Sequence, residues 1–252
     1  MFNKFIPVLL PILLFINWVT IIKWPSYFFY LFLIQLALLI LFTLKLNRFK
    51  FKNKDFWLLL TPGIFLVSLT SVFILFLNYL WFTYLVVFLI SLALYYYLTY
   101  LYNFLLFITR YKPLSLESVS SYFNLVSYLF LGIIVYGLIN FLDLKLWYLG
   151  LLIIIITFIL TYQFFWISKI DEKNNVFASL LLSILMIEFF WSMSFFPVSH
   201  FISGLALAII YYVVTNLSLY YFLDKLDKKT IKIYLTIGIG CLLIILLSAN
   251  IF

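Results

Sequence analysis

The composition of this 252-residue chain places most of it in lipid. Apolar residues make up 67% of the sequence and charged residues only 10%, and the mean hydropathy is +1.23. A water-soluble domain is about 45–50% apolar and about 25% charged, so one core could not hide this many apolar side chains from water. The net charge of +8 is spread over short segments between apolar runs, which argues against a nucleic-acid partner.

Nine apolar segments are long enough to cross a bilayer, since a hydrocarbon layer of about 30 Å needs about 20 apolar residues in a helix. They are uniformly apolar rather than alternating, which is typical of helices in lipid and not of membrane barrel strands. We therefore predict an all-α polytopic transmembrane helical bundle, a single domain over 1–252 with no soluble domain. The predicted spans are approximately 5–22, 26–44, 56–77, 80–108, 121–142, 146–168, 176–196, 198–222 and 231–252.

The positive residues predict the orientation of these spans. Cytoplasmic loops retain Lys and Arg, and 14 of the 16 positive residues fall on one side when nine spans are drawn. Only Lys23 and Lys145 lie on the other side. The pattern predicts a cytoplasmic N-terminus and an external C-terminus.

The loop between the second and third spans holds five positive residues. Positive charge next to a membrane attracts anionic lipid by about 1 kcal/mol per residue, which favours contacts with anionic lipid at the cytoplasmic face. The simpler interpretation is that such a loop sets the topology. The candidate lipid contacts are Lys45, Arg48, Lys50, Lys52 and Lys54.

Glu188 is the charged residue that lies well inside a span. An acid near the middle of a bilayer costs about 2.5 to 3.5 kcal/mol on insertion scales, and such residues favour function by default. Ser192 shares its helical face, and His200 begins the next span, which carries small residues at Gly204 and Ala208. We expect a buried, hydrogen-bonded carboxyl, which is either a proton or cation site of a transporter or a polar clasp between spans seven and eight. His200 also fits an ordinary interfacial side chain.

A polar stripe enters the fifth span from the cytoplasm. Spacings of three and four place its residues on one helical face, which extends about 12 Å into the span. In lipid such a face turns toward other helices or toward a water-filled cavity. The sequence therefore predicts either a cytoplasmic cavity or packing of serines between helices. The stripe consists of Glu117, Ser120, Ser121, Asn124 and Ser127.

Tyrosines cluster toward the cytoplasmic ends of spans four and eight. This is the position of an aromatic belt at a membrane interface. The clusters are Tyr95 to Tyr97 with Tyr100 and Tyr102, and Tyr211, Tyr212, Tyr220 and Tyr221.

The chain contains no phosphate-binding loop, dinucleotide-binding glycine motif or zinc-protease motif. Its single cysteine, Cys241, has no intrachain partner for a disulfide and cannot form a cysteine-ligated metal site alone. We predict no cofactor, no metal and no catalytic residue.

The stretch EFFWSMSFFPVSHFISGLAL, followed by a Tyr-rich span and the DKLDKK loop, resembles an uncharacterised family of multi-pass membrane proteins of small-genome bacteria. The resemblance implies a multi-pass protein of the cytoplasmic (inner) cell membrane and brings no catalytic residue. The first function we predict is a transporter or a translocator of lipids or small molecules, because many short-looped spans surround one intramembrane acid and a polar stripe. The alternatives are an accessory or assembly subunit of a membrane complex and a membrane-embedded enzyme, which normally needs two positioned acid–base groups.

Labelling of single cysteines tests the predicted orientation. In a Cys241→Ser background, Lys145→Cys should react with a membrane-impermeant maleimide in intact cells, because its turn is predicted to be external. Lys173→Cys, in a segment predicted to be cytoplasmic, should react only after the membrane is opened. Labelling of Lys173→Cys together with protection of Lys145→Cys in intact cells would invert the topology.

Overall fold

The computed structural model describes residues 4–47, 54–107 and 115–248. Within these ranges the chain forms α-helices, two short 3-10 helices and no strand, which confirms the predicted all-α class. The α-helices are α1 (Ile6–Lys23), α2 (Phe28–Leu46), α3 (Lys54–Phe73), α4 (Leu80–Leu106), α5 (Ser115–Leu142), α6 (Leu146–Ile167), α7 (Glu172–Ser194), α8 (His200–Phe222) and α9 (Lys228–Ser248).

Helices α1 to α8 are each long and apolar enough to cross a membrane, so the chain is a multi-pass membrane protein. Helix α9 has 21 residues and covers most of the ninth predicted span. Helix α5 begins at Ser115 and α7 at Glu172, earlier than the spans predicted from 121 and 176. The added turns carry polar residues, which hydropathy does not count although they continue the helical hydrogen bonding.

The chain divides into two compact units, Met1–Phe123 and Asn124–Phe252, and the boundary falls inside α5. In the first unit α1 packs against α2 and α4, and α3 packs against α2 and α4. In the second unit α6 packs against α7, α7 against α8, and α8 against α9. The part of α5 in the second unit contacts α7 through the Tyr136 hydroxyl, which donates to the Phe190 carbonyl at 3.0 Å. Its contacts with α6 and α8 are described below.

Polar contacts join three helices of the first unit. The indole Nε1 of Trp18 on α1 donates to Ser71 Oγ on α3 at 2.8 Å, and Gln35 Nε2 on α2 donates to the same hydroxyl. The Ser71 hydroxyl in turn donates to the carbonyl of Val67 at 2.9 Å. All three polar side chains are buried. Hydrogen bonds between helices in a membrane stabilise one register of packing, and each contributes about 0.6 kcal/mol on average.

Helices α5 and α8 of the second unit cross at two glycines. A Cβ placed on Gly132 would lie 2.9 Å from Gly204 Cα, and a Cβ placed on Gly204 would lie 2.4 Å from the backbone nitrogen of Ile133. Such an approach of two backbones requires residues without side chains. The small residues singled out in span eight, Gly204 and Ala208, are buried, and Gly204 contacts α5.

Helix α9 begins after a loop at a capped turn. The backbone N–H of Thr230 donates to Asp227 Oδ1 at 2.7 Å, which satisfies one free donor of the first turn. The hydrogen bonds from the Thr230 side chain and backbone hold the pKa of Asp227 below its usual value. Asp227 is fully exposed, so it caps the helix without entering the apolar layer.

Gly204→Ala should lower the thermal stability of the purified protein. The new methyl group would overlap the backbone of α5, and overpacking of this kind costs typically about 1–3 kcal/mol. Gly240→Ala is the matched control, because a Cβ at this helical glycine meets nothing within 4 Å. Thermal unfolding in detergent compares the two midpoints. An equal midpoint for both variants would contradict the close crossing.

Candidate functional site

The structure buries the inner part of the polar stripe on α5. Ser120, Asn124 and Ser127 are at most 1% exposed. Toward the start of the helix, Glu117 and Ser121 are half-buried, and the Ser121 hydroxyl donates to the Glu117 carbonyl at 2.9 Å. The stripe therefore faces the protein interior, as a polar face in a bilayer must.

In the second unit the stripe meets an amide on α6. Asn124 Nδ2 donates to Gln163 Oε1 at 2.6 Å and lies 3.4 Å from the carbonyl oxygen of Leu160. Gln163 is completely buried. The sequence reading missed Gln163, although an amide inside an apolar span is itself a signal, because hydrocarbon offers it no partner.

A pair of tyrosines extends this contact to α8. The hydroxyl of Tyr128 lies 3.0 Å from Thr157 Oγ1 on α6. The Tyr128 ring stacks on Tyr211 of α8, with centroids 4.0 Å apart and 9° between the ring planes. Both tyrosines are buried, as is Tyr97 in the first unit. The aromatic-belt prediction is therefore wrong for Tyr97 and Tyr211, because they turn toward neighbouring helices rather than the membrane surface.

Several polar atoms beside these contacts have no hydrogen-bond partner in the part of the chain that the structure describes. They are Asn124 Oδ1, Ser127 Oγ, Gln163 Nε2 and Tyr211 OH. Buried polar groups are nearly always paired, so each of these four atoms can form a further hydrogen bond with water or with a polar ligand. We name the set of side chains around them the polar core. It consists of Asn124, Ser127, Tyr128, Thr157, Gln163 and Tyr211.

The polar core carries no formal charge. The buried polar residues of the described ranges are Asn, Gln, Ser and Thr, and no Asp, Glu, Lys or Arg is among them. Within the same ranges no group of three His, Cys, Asp or Glu residues comes close enough to hold a metal ion. The polar core therefore offers hydrogen bonds rather than ionic contacts.

A separate polar contact joins α6 and α7. The side chain of Asn175 donates to the Tyr162 carbonyl at 3.1 Å and accepts from the Ser179 hydroxyl at 3.2 Å. Asn175 and Ser179 are at most 1% exposed. These side chains pair with one another and with backbone, as expected of groups that hold helices together.

Glu188 lies on the exposed side of α7, so its predicted burial between spans seven and eight is wrong. Met186 and Phe190 of α7 are buried, and a residue two positions from each lies on the opposite face of a helix. The Ser192 hydroxyl donates to the Glu188 backbone carbonyl at 2.9 Å rather than to its carboxyl. His200 is half-buried, and its ring packs against Phe141 at a centroid distance of 5.2 Å.

The five candidate lipid contacts are only partly within the described residues. Lys45 is half-buried near the end of α2, and Lys54 is exposed at the start of α3. Arg48, Lys50 and Lys52 lie outside the described residues. Contact of this loop with anionic lipid stays a prediction.

No family model, no curated protein and no solved structure matches this chain.

A double-mutant cycle tests the amide contact of the polar core. Asn124→Ala and Gln163→Ala should each destabilise the protein, and the double variant should lose less than the sum. Coupling between hydrogen-bonded helices in membranes averages about 0.6 kcal/mol and reaches about 1.7 kcal/mol. The coupling energy is obtained from the unfolding free energies of the four proteins in mixed micelles. Strict additivity of the two substitutions would contradict the contact.

Proposed function

We propose that this multi-pass membrane protein moves a small uncharged polar molecule across the membrane and binds it at the polar core. The observation that carries the proposal is that four polar atoms of the polar core have no hydrogen-bond partner among the described residues. Leaving such atoms unpaired costs free energy in the absence of a ligand or water. A solute with donors and acceptors of its own would recover that cost while bound.

The chemistry of the polar core favours an uncharged solute. Its donors and acceptors are two carboxamides, two aliphatic hydroxyls and two phenols, from Asn124, Gln163, Ser127, Thr157, Tyr128 and Tyr211. An ion that left water here would meet no opposite formal charge, so its desolvation would be poorly compensated. A polyol or an amide would exchange hydrogen bonds with water for similar bonds with these side chains.

The position of the polar core supports access from the cytoplasm. Asn124 lies about 14 Å along α5 from Ser115, and Gln163 lies about 6 Å from the end of α6, at 1.5 Å per residue. Both depths fall in the half that the positive residues predict to be cytoplasmic. The half-buried Glu117 and Ser121 continue the polar face toward the start of α5. We propose the cytoplasmic membrane as the location.

Glu188 takes no part in this proposal, because it lies on the exposed side of α7. A proton-coupled mechanism through Glu188 would need the acid to reach the bound solute. We therefore expect solute flux to be insensitive to Glu188→Gln. Loss of flux in this variant with an unchanged fold would restore the coupling role.

A second candidate function is that of an accessory or assembly subunit. It is supported by buried hydroxyls that bond to the backbone of their own helix and so need no ligand. Thr161 donates to the Thr157 carbonyl at 2.6 Å, and Ser183 donates to the Ser179 carbonyl at 2.6 Å. Such residues permit close helix packing. The third candidate, a membrane-embedded enzyme, stays a prediction.

Reconstitution into liposomes tests the transport proposal. Stopped-flow light scattering should show faster uptake of glycerol or urea by proteoliposomes than by protein-free vesicles. Asn124→Ala should slow the protein-dependent uptake about tenfold, which corresponds to about 1.4 kcal/mol. Asn216→Ala is the matched control. Among the described residues, the Asn216 amide on α8 donates to the Tyr212 carbonyl of its own helix, at 2.8 Å, and to no other group.

Two outcomes would redirect the assignment. Translocation of a headgroup-labelled phospholipid, without uptake of glycerol or urea, would make the protein a lipid translocator. Absence of all three fluxes, together with a partner subunit that copurifies in fixed stoichiometry, would favour the accessory function.

A further inference from the structure

Helix α7 carries an acidic side chain on its outer surface at membrane depth. Glu188 is exposed, and it lies about 24 Å from Glu172 at the start of α7 and about 9 Å from Ser194 at its end, at 1.5 Å per residue. A hydrocarbon layer of about 30 Å centred on this helix includes Glu188. An ionisable side chain at such a depth is costly and nearly always faces protein or a water-filled cavity.

The direction of the side chain increases this cost. Cα–Cβ bonds of a helix tilt toward its N-terminus, and the N-terminus of α7 is predicted to be cytoplasmic. The Glu188 carboxyl is therefore directed deeper into the layer, away from the nearer external surface. A glutamate side chain is also too short to reach headgroups as a lysine does.

The described part of the chain supplies no partner for this carboxyl. The hydrogen bond recorded at Glu188 is the one that its backbone carbonyl accepts from Ser192. No described residue forms a hydrogen bond or an ion pair with the carboxyl oxygens. A group that pairs with this carboxyl in the bilayer would have to approach the exposed surface of α7 from outside the described residues.

The surface around Glu188 has the form of a helix-packing face. Within the exposed surface of α7 and its C-cap, six residues stand at spacings of four, three, four, three and four, the heptad pattern of two helices that cross at a small angle. The aromatic members lie on either side of the acid, and Trp191 also makes an edge contact with Trp147 at 5.0 Å. We name this surface the α7 outer face. Its residues are Phe177, Leu181, Ile184, Glu188, Trp191 and Phe195.

We propose that the α7 outer face docks a transmembrane helix of another membrane protein, and that this helix carries a lysine or an arginine at the depth of Glu188. Charge complementarity decides between the occupants. A second copy of this chain would bring another Glu188 to a symmetric contact and would bury two like charges or one shared proton. A lipid chain would leave the carboxyl without any partner.

A partner helix with a lysine or an arginine removes the free-energy cost of an unpaired charged group for both helices. A lysine or arginine in the partner is itself unfavourable in hydrocarbon, so each helix inserts with an uncompensated polar group that only the complex pairs. The resulting hydrogen bond joins two ionised groups, which makes it stronger than one between neutral groups. The interface is separate from the polar core, and it serves a transporter with a regulatory subunit as well as an assembly factor.

Fluorescence energy transfer in vesicles tests the proposal. The protein carries the donor, and leucine-rich transmembrane peptides carry the acceptor. One peptide carries a single lysine at the depth of Glu188, and the matched peptides carry leucine or glutamate there. The lysine peptide should bind wild type about tenfold more tightly than the leucine peptide, since one strong interhelical contact is worth about that factor. Glu188→Gln should abolish the preference, and Glu188→Lys should transfer it to the glutamate peptide.

Glu172→Gln is the matched control, because it removes an exposed acid of the same helix at its cytoplasmic end. It should keep the preference for the lysine peptide. Equal binding of the lysine and leucine peptides to wild type would overturn the proposal, as would a lysine preference that survives Glu188→Gln. Self-association of wild type that requires Glu188, without any lysine preference, would overturn it in favour of a second copy. Liposome flux is measured separately, so failure here leaves the transport proposal intact.

Discussion

Hydrocarbon offers no hydrogen bonds, and this constraint governs every polar group in the membrane-spanning part of the chain. Backbone groups meet it by forming helices, because each helix pairs its own N–H and C=O groups. Most serine and threonine hydroxyls of the described helices meet it by bonding one turn back, as Thr70 does with the Leu66 carbonyl at 2.6 Å. A carboxamide has more donors and acceptors than one backbone carbonyl can pair, so buried amides such as Gln163 also need partners on neighbouring helices.

The polar core and Glu188 carry the two proposals, and they differ in position and in chemistry. The polar core is neutral, buried and close to the half predicted to be cytoplasmic, and several of its atoms are unpaired. Glu188 is a single acid on an exposed face in the half predicted to be external. The first suits an exchangeable ligand, and the second suits a lasting contact with another chain. The two proposals therefore concern different surfaces and different partners.

Close backbone contact makes the neutral polar core possible. At the crossing of α5 and α8, Gly132 and Gly204 bring the two helices together. Tyr128 lies one turn from Gly132 and Tyr211 lies two turns from Gly204, each toward the end of its helix that is predicted to be cytoplasmic. There the two rings stack face to face. A wider separation would remove this stack and open the core to lipid. Small residues thus set the distance at which the large polar ones meet.

The helical class and the approximate spans followed from the sequence, because uniform apolarity over about 20 residues has only one stable form in a bilayer. The polar face of α5 was also predictable, since Ser120, Asn124 and Ser127 recur at helical spacing and must turn away from lipid. Which of the two predicted uses that face has depends on Gln163 and Tyr211. Both come from distant parts of the chain.

The orientation of each helix about its own axis is what the sequence alone left undetermined. Beyond its polar first turn, helix α7 is apolar on all sides apart from Glu188 and a few serines, so no amphipathic pattern indicated whether Glu188 faced inward. Packing decided it: α7 buries Met186 and Phe190, and Glu188 therefore lies on the outside. The same holds for Tyr211, whose place in the core depends on the approach of α8 to α5. Sequence alone determined which segments enter the membrane. Tertiary packing decided which side chains meet there. The reason is that an apolar helix in lipid gains little free energy from one rotation over another until specific side chains fit together.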